Sequence, residues 1–148
     1  MVKIPTAIRY GVRMLITLAE NDRQMNTNEL SREMGVSPLY LRQVALPLEK
    51  KGVIRGTKGA KGGYSLNVDP ATIDLFTIFK AMNEDFSLLD CVDCTSACER
   101  SADCPSRELW KALSRSLRRS LKSLTLKKLV ENRGRSFEID EALEGLPC

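Results

Sequence analysis

The sequence contains no histidine, and this absence restricts the chemistry open to the protein. Imidazole is the commonest general base in enzymes and a frequent metal ligand, so both roles must fall to other side chains. The one glycine-rich stretch is not followed by Gly-Lys-Ser or Gly-Lys-Thr, so it does not match a phosphate-binding loop. These absences favour a binding protein over an enzyme.

Long apolar runs are also missing. No stretch approaches the roughly 18 consecutive apolar residues of a membrane span, and residues 1–5 lack the apolar centre of a secretion signal. We therefore expect a cytoplasmic protein without membrane contact. The 148 residues, 43% hydrophobic and 28% charged, suffice for one globular core with an appendage.

Cysteine is concentrated in one short stretch. Four of the five cysteines form the pattern C-x2-C-x3-C-x5-C, and the fifth is Cys148. Soft thiolates at such spacing favour one soft metal centre. A single compact loop suits a 2Fe-2S or 4Fe-4S cluster better than zinc, which usually binds two separated knuckles. Zinc and a redox-active disulfide remain alternatives. The predicted ligands are Cys91, Cys94, Cys98 and Cys104.

Charge is distributed unevenly along the chain. Residues 1–82 contain 12 basic and 7 acidic side chains, and residues 105–130 contain 8 basic and 1 acidic. By contrast, residues 83–104 contain 1 basic and 6 acidic side chains, and residues 131–148 contain 2 and 5. A basic body with an acidic loop and tail is typical of a protein that binds a polyanion.

Two short helices are predicted on either side of a three-residue turn. Asn26 or Thr27 can cap the first helix, Gly35 can end it, and Ser37 followed by Pro38 can begin the second. This pattern matches a helix-turn-helix, in which the start of the second helix faces the DNA bases, although an ordinary helical hairpin is the alternative. The predicted DNA contacts here are Ser37, Leu39, Tyr40, Arg42 and Gln43.

A basic hairpin is predicted directly after these helices. Gly52–Gly56 and Tyr64–Leu66 have the composition of two strands, and Thr57–Gly63 forms a glycine-rich tip. Glycine allows close approach to a phosphate backbone, and Lys58 and Lys61 supply positive charge. A helix-turn-helix with such a hairpin is a winged helix.

The predicted fold is therefore mostly α with a small β wing. Residues 1–83 form a winged helix-turn-helix domain, 84–105 a cysteine-rich sensor loop, and 131–148 a polar tail. Between them, residues 106–130 predict one helix of about 37 Å at 1.5 Å per residue. Its apolar stripe needs a partner, and a second copy of the chain is the simplest candidate, with packing onto its own domain as the alternative. The stripe consists of Leu109, Leu113, Leu117, Leu121 and Leu124.

Four motifs together resemble a known family. They are Arg9–Val12, Ser37–Gln43, Gly59–Tyr64 and the cysteines before the long helix. On these residues the chain is similar to the IscR/NsrR/CymR family of bacterial winged-helix transcription regulators. The resemblance implies a homodimer that binds an inverted repeat in double-stranded DNA. It also implies that Lys58 enters the minor groove, and that an iron–sulfur cluster senses redox state, nitric oxide or cluster supply.

The cysteine pattern departs from that family. Many members use C-x5-C-x5-C, and here the first of these positions falls on Val92. A fourth ligand in such proteins is a histidine, at the position of Arg107, or a carboxylate from the partner's first helix, at the position of Arg9. Either all four loop cysteines bind, which we favour, or three bind with Asp90 or Asp93.

Two other functions compete with a cluster-binding regulator. One is the same DNA-binding protein with a zinc site or a disulfide switch in place of the cluster. The other is an electron-transfer or cluster-carrier protein that does not bind DNA. Salt-dependent DNA binding separates the last of these from the first two.

Overall fold

The computed structural model describes residues 3–82 and 88–135. These residues form seven α-helices and a two-stranded antiparallel sheet. The predicted class, mostly α with a small β wing, is confirmed. In chain order the elements are α1 Thr6–Asn21, α2 Thr27–Met34, α3 Pro38–Lys50, β1 Ile54–Thr57, β2 Gly63–Leu66, α4 Leu75–Ala81, α5 Asp90–Asp93, a 3-10 turn Thr95–Ala97, α6 Arg107–Ser123 and α7 Leu126–Glu131.

Helix α1 lies at the centre of the core. It packs against α2, α3, α4, β2 and α7, and its apolar residues recur at helical spacing. Met14, Leu15 and Leu18 are fully buried on that face. The neighbouring helices α2, α3, α4 and α7 contribute one or more fully buried residues each, namely Leu30, Leu41, Leu48, Ile78 and Leu126.

The helix-turn-helix is defined by local hydrogen bonds. The Asn26 side chain accepts from the Glu29 amide at 2.9 Å, and the Glu29 carboxylate accepts from the Asn26 amide at 3.3 Å. Gly35 ends α2 in the left-handed region at φ 64°, where a side chain would be strained. Ser37 then caps α3 by accepting from the Tyr40 amide at 3.2 Å. The predicted caps are confirmed, with Asn26 rather than Thr27 at the start of α2.

The wing is a short hairpin after α3. Ile54 pairs with Leu66, so the first strand begins two residues later than its predicted start at Gly52. At the tip the Gly62 amide donates to the Gly59 carbonyl at 2.9 Å. Gly59 has a φ of 107°, which explains why glycine is needed at this turn.

The wing is attached to the segment between α1 and α2. Met25 and Tyr64 exchange backbone hydrogen bonds of 2.9 and 2.8 Å, and the Gln24 side chain donates to the Lys61 carbonyl at 2.7 Å. A Cβ atom on Gly63 would overlap the Met25 carbonyl, so only glycine fits beside this bridge. The wing therefore cannot move independently of the loop that precedes α2.

The prediction of a single helix over 106–130 is wrong, because the structure has two helices in this segment. Helix α6 ends at Ser123, and Leu124 adopts an extended conformation with φ −96° and ψ 90°. The Leu75 amide donates to the Leu124 carbonyl, and the Leu126 amide donates to the Ile73 carbonyl, each at 2.9 Å. This pairing breaks the helix and directs Leu126 into the core, where it is fully buried.

Helix α7 then folds back onto α1. Arg133 forms an ion pair of 2.7 Å with Glu20 near the end of α1. The segments 83–87 and 136–148, which include Cys148 and most of the predicted polar tail, lie outside the described residues. Among the helices that the structure describes, each is too short or too polar to cross a lipid bilayer.

Candidate nucleic-acid interface and cysteine loop

Helix α3 presents one exposed line of side chains. Its inner face is buried through Leu41, Val44, Ala45 and Leu48. The opposite side forms what we call the outward ridge, where Leu39 is 66% and Leu46 is 51% exposed. The ridge consists of Leu39, Gln43, Leu46 and Lys50, all of them exposed, with exposed Arg42 beside it.

Two of the predicted DNA contacts have structural roles. Tyr40 is half-buried, and its ring meets the Tyr10 ring edge-on at 5.4 Å. The Arg13 guanidinium lies 5.3 Å from the centre of the same Tyr10 ring. The Ser37 hydroxyl is engaged in the helix cap. Tyr40 and Ser37 therefore help to position α3, and they stay predicted DNA contacts together with exposed Leu39, Arg42 and Gln43.

The flank of α3 beside Arg42 faces the wing. Burial raises the pKa of Tyr64 above its ordinary value of 10.0, the negative charge of Glu49 raises it further, and the positive charge of Arg42 opposes both. The Glu49 carboxylate also adjoins Gly56 of β1, so this flank of α3 lies against the wing. Exposed basic side chains continue from α3 into the wing, namely Arg42, Lys50, Lys51, Arg55, Lys58 and Lys61.

An apolar groove lies between α1, α4 and α6. It encloses about 430 Å³, and Arg9 and Arg13 lie among its otherwise apolar lining. Near the start of α6, Leu109 is 62% and Leu113 is 43% exposed. The chain therefore has both an open apolar groove and an exposed apolar surface. The apolar and aromatic residues that line the groove are Ile4, Ile8, Tyr10, Val12, Leu75, Phe79 and Leu121.

The cysteine loop contains four free thiols. Cys91 and Cys104 are half-buried, whereas Cys94 and Cys98 are exposed. A hydrogen bond from the Ser96 hydroxyl, 2.9 Å from Cys94 Sγ, lowers the pKa of the Cys94 thiol below its ordinary value of 9.0. The Ser106 hydroxyl, 3.5 Å from Cys104 Sγ, lowers the pKa of Cys104 in the same way.

Arg107 links the two ends of this loop. Its Nε donates to the Cys91 carbonyl at 3.4 Å, and its positive charge contributes to the lowered pKa of Cys104. The donor set fits a thiophilic centre, because four reduced thiols are present and two of them have a lowered pKa. Among the described residues, no three Cys, Asp or Glu side chains stand together as a ligand group. Ligation therefore requires the loop to rearrange.

A comparison with known families covers almost all of the described chain. Residues 4–132 match the Rrf2 family, described as iron-dependent transcriptional regulators. The chain belongs to the Rrf2 family. Rrf2-family proteins are transcriptional regulators that act on DNA and are not enzymes, so the predicted absence of enzymatic activity and the predicted resemblance are both confirmed.

Individual Rrf2-family relatives agree with this assignment. The chain is 30% identical over 132 residues to the protein rrf2 of Nitratidesulfovibrio vulgaris, covering 88% of each. It is 27% identical over 132 residues to the regulator IscR of Vibrio vulnificus, covering 88% of this chain and 78% of IscR. Its structure is similar to that of CymR, the global cysteine regulator of B. subtilis, with a TM-score of 0.72, 28% identity and coverage of 88% and 98%.

Proposed function

We propose that this Rrf2-family regulator is a cytoplasmic homodimer that binds an inverted repeat, and that its cysteine loop holds an iron–sulfur cluster as the sensor. The observation on which the proposal rests is the set of four free thiols in the segment between α4 and α6. The family description as iron-dependent supports iron at this loop rather than zinc.

The dimer is supported by the exposed apolar surfaces of one chain. Leu109 and Leu113 are exposed on α6, and the groove between α1, α4 and α6 is open and apolar. In a two-fold dimer each copy can place its exposed α6 residues in the groove of the other. Two-fold symmetry of the protein then calls for two inverted half-sites in the DNA.

Cys91, Cys94, Cys98 and Cys104 are the residues that would hold the cluster. When bound, an iron–sulfur cluster supplies a centre whose oxidation state responds to oxidants, and its potential depends on surrounding charge and hydrogen bonds. The hydroxyls of Ser96 and Ser106 favour the thiolate form that a metal requires.

Tyr10 offers a physical connection between the groove and the DNA-reading helix. It lines the groove on one side and contacts the Tyr40 ring of α3 on the other. A change in how α6 of the partner fills the groove would therefore act on Tyr10 and, through it, on the angle of α3. The cysteine loop directly precedes α6, so an ordered loop can set the position of that helix.

The test is reconstitution with iron and sulfide under anaerobic conditions. We expect visible absorption for the wild-type chain and its loss in Cys98→Ser and Cys104→Ser, while the control Cys148→Ser keeps it. If Cys91→Ser and Cys94→Ser both retain the full spectrum, a carboxylate replaces one thiolate. Stoichiometric zinc without iron uptake would refute the cluster, and salt-insensitive DNA binding would refute the operator-binding part of the proposal.

A further inference from the structure

The outward ridge of α3 has an unusual composition for a surface that faces away from the core. Two of its four side chains are leucines, Leu39 and Leu46, which are exposed, with Gln43 between them and Arg42 beside them. Single exposed leucines are ordinary on protein surfaces. These two, however, lie on the one line of α3 that is opposite its buried face, which is the line that a recognition helix presents to DNA.

The spacing of the ridge corresponds to the spacing of bases. Leu39 and Leu46 are seven positions apart, or about 10.5 Å along a helix at 1.5 Å per residue. That length covers about three steps along one DNA strand at 3.4 Å per step. The thymine C5 methyl is the apolar group that the base edges present in the major groove, whereas arginine pairs best with guanine and glutamine with adenine.

The charges around the ridge, four cations and the carboxylate of Glu49, are mostly positive and favour duplex DNA as its occupant. Lys50 belongs to the ridge, Arg42 lies beside it, and Lys51 and Arg55 follow directly along the chain. A protein partner that covered two leucines here would have to neutralise these cations as well. Phosphates along the groove edges provide that negative charge on either side of the bases.

We propose that Leu39 and Leu46 are base-reading residues that contact the methyl groups of two thymines about three base pairs apart. Arg42 contacts a guanine of the same half-site through its N7 and O6 atoms. This inference rests on the proposed binding of DNA and adds to it a chemical description of the half-site. Leu46 was not among the contacts predicted from the sequence.

The experiment removes single methyl groups from the DNA. Duplexes that the full-length protein selects from a random pool are resynthesised with deoxyuridine in place of each thymidine in turn, which preserves base pairing. We expect wild-type affinity to fall about fourfold at each contacted position, as the loss of one buried methyl predicts. Leu39→Ala should abolish the effect at one position and Leu46→Ala at the other, whereas the control Lys127→Ala, at an exposed position of α7, should keep both.

A parallel substitution tests the guanine contact. Replacing guanine by 7-deazaguanine removes the N7 acceptor while leaving the Watson–Crick edge intact. The wild-type chain should lose affinity at one position in each half-site, and Arg42→Ala should be insensitive to the same replacement.

Several results would overturn the inference. If no deoxyuridine substitution changes wild-type affinity, or if both alanine variants keep every penalty, the leucines do not read thymine. If the protein still binds duplex DNA in a salt-dependent way in that case, the proposed DNA binding stands and only the inference about thymine is refuted. The absence of any salt-dependent duplex binding would remove the proposed function and the inference together.

Discussion

Arg42 and Lys58 lie on different elements of one basic surface. Arg42 is exposed on α3, and Lys58 is exposed at the tip of the wing that β2 completes. A base contact gives sequence preference, whereas a phosphate or minor-groove contact mainly gives affinity. The two side chains should therefore differ in what their removal changes.

We expect Arg42→Ala to weaken binding to the selected operator by about 1–3 kcal/mol and to relax its preference for guanine. Lys58→Ala should weaken binding to all sequences and reduce the salt slope by about 1. Fluorescence anisotropy at several salt concentrations measures both effects. Lys127→Ala, which removes an exposed lysine on α7, is the control. Unchanged operator binding in both test variants would show that the docking of helix and wing is wrong.

Glu29 contributes to stability in a pH-dependent way. Its pKa is held below the ordinary value of 4.5, first by the hydrogen bond from Arg23 and then by the amide of Asn26. A folded pKa below the unfolded one means that the stabilisation is complete above pH 4.5 and is lost as pH falls through the lowered value. The urea midpoint of the wild type should thus exceed that of Glu29→Gln at pH 6, and the difference should shrink as the pH falls below 4.5. Glu33→Gln is the control, and a constant difference down to low pH would contradict this account.

The sequence predicted only in part which side chains at the start of α3 are exposed. Leu39, Arg42 and Gln43 were predicted at the start of α3, and all three are exposed. Tyr40 was grouped with them, yet its ring packs on Tyr10, thirty positions earlier in the chain. Helical periodicity gives the relative angles of side chains, but the rotation of the helix against its neighbours depends on contacts that are distant in sequence.

At the scale of elements, a helix end that is set by hydrogen bonds within one turn was predictable from the sequence. A helix end that is set by contacts distant in sequence was not. The cap at Ser37 involves residues within one helical turn, so a short motif suffices to predict it. The break at Leu124 depends on pairing with Ile73 and Leu75, about fifty positions earlier. The leucine spacing continues through the break, and for this reason a single helix over 106–130 was predicted.

Thr125 stabilises the restart of the chain as α7. Its hydroxyl accepts from the Lys128 amide at 3.3 Å, so Thr125→Ala should cost about 1 kcal/mol of unfolding free energy. Urea denaturation followed by circular dichroism measures the loss. Thr77→Ala removes an exposed threonine of α4 that is not a cap and is the matched control. Equal midpoints for the two variants would contradict the assigned cap.

For the whole molecule, the leucine stripe of α6 divides into two parts. Leu121 packs against the core of its own domain and lines the groove, as the alternative prediction for this helix proposed. Leu109 and Leu113 remain exposed. The exposed leucines that a second copy can cover therefore lie in the first half of α6, whereas Leu121 belongs to the groove that would receive them.

Leu109→Asp combined with Leu113→Asp should produce a folded monomer. Burial of one leucine side chain is worth about 1.5–3 kcal/mol, so two charged replacements should prevent association at micromolar concentration. Sedimentation equilibrium gives the mass, and circular dichroism checks the fold. Lys127→Asp, which places the same carboxylate at an exposed position of α7, should remain dimeric. A double variant that still sediments as a dimer would locate the contact elsewhere.

The attachment of the wing at Met25 and Tyr64 has a geometric consequence for any dimer of this chain. Because hydrogen bonds join the wing to the segment that precedes α2, the helix-turn-helix and the wing of one copy should move together. The separation of the two copies is then the distance that can vary. One added base pair between half-sites turns the second by about a tenth of a revolution and moves it out of reach. Such a dimer would select operators by the spacing of their half-sites as well as by their bases. A change in the separation of the two copies would change which spacing is bound.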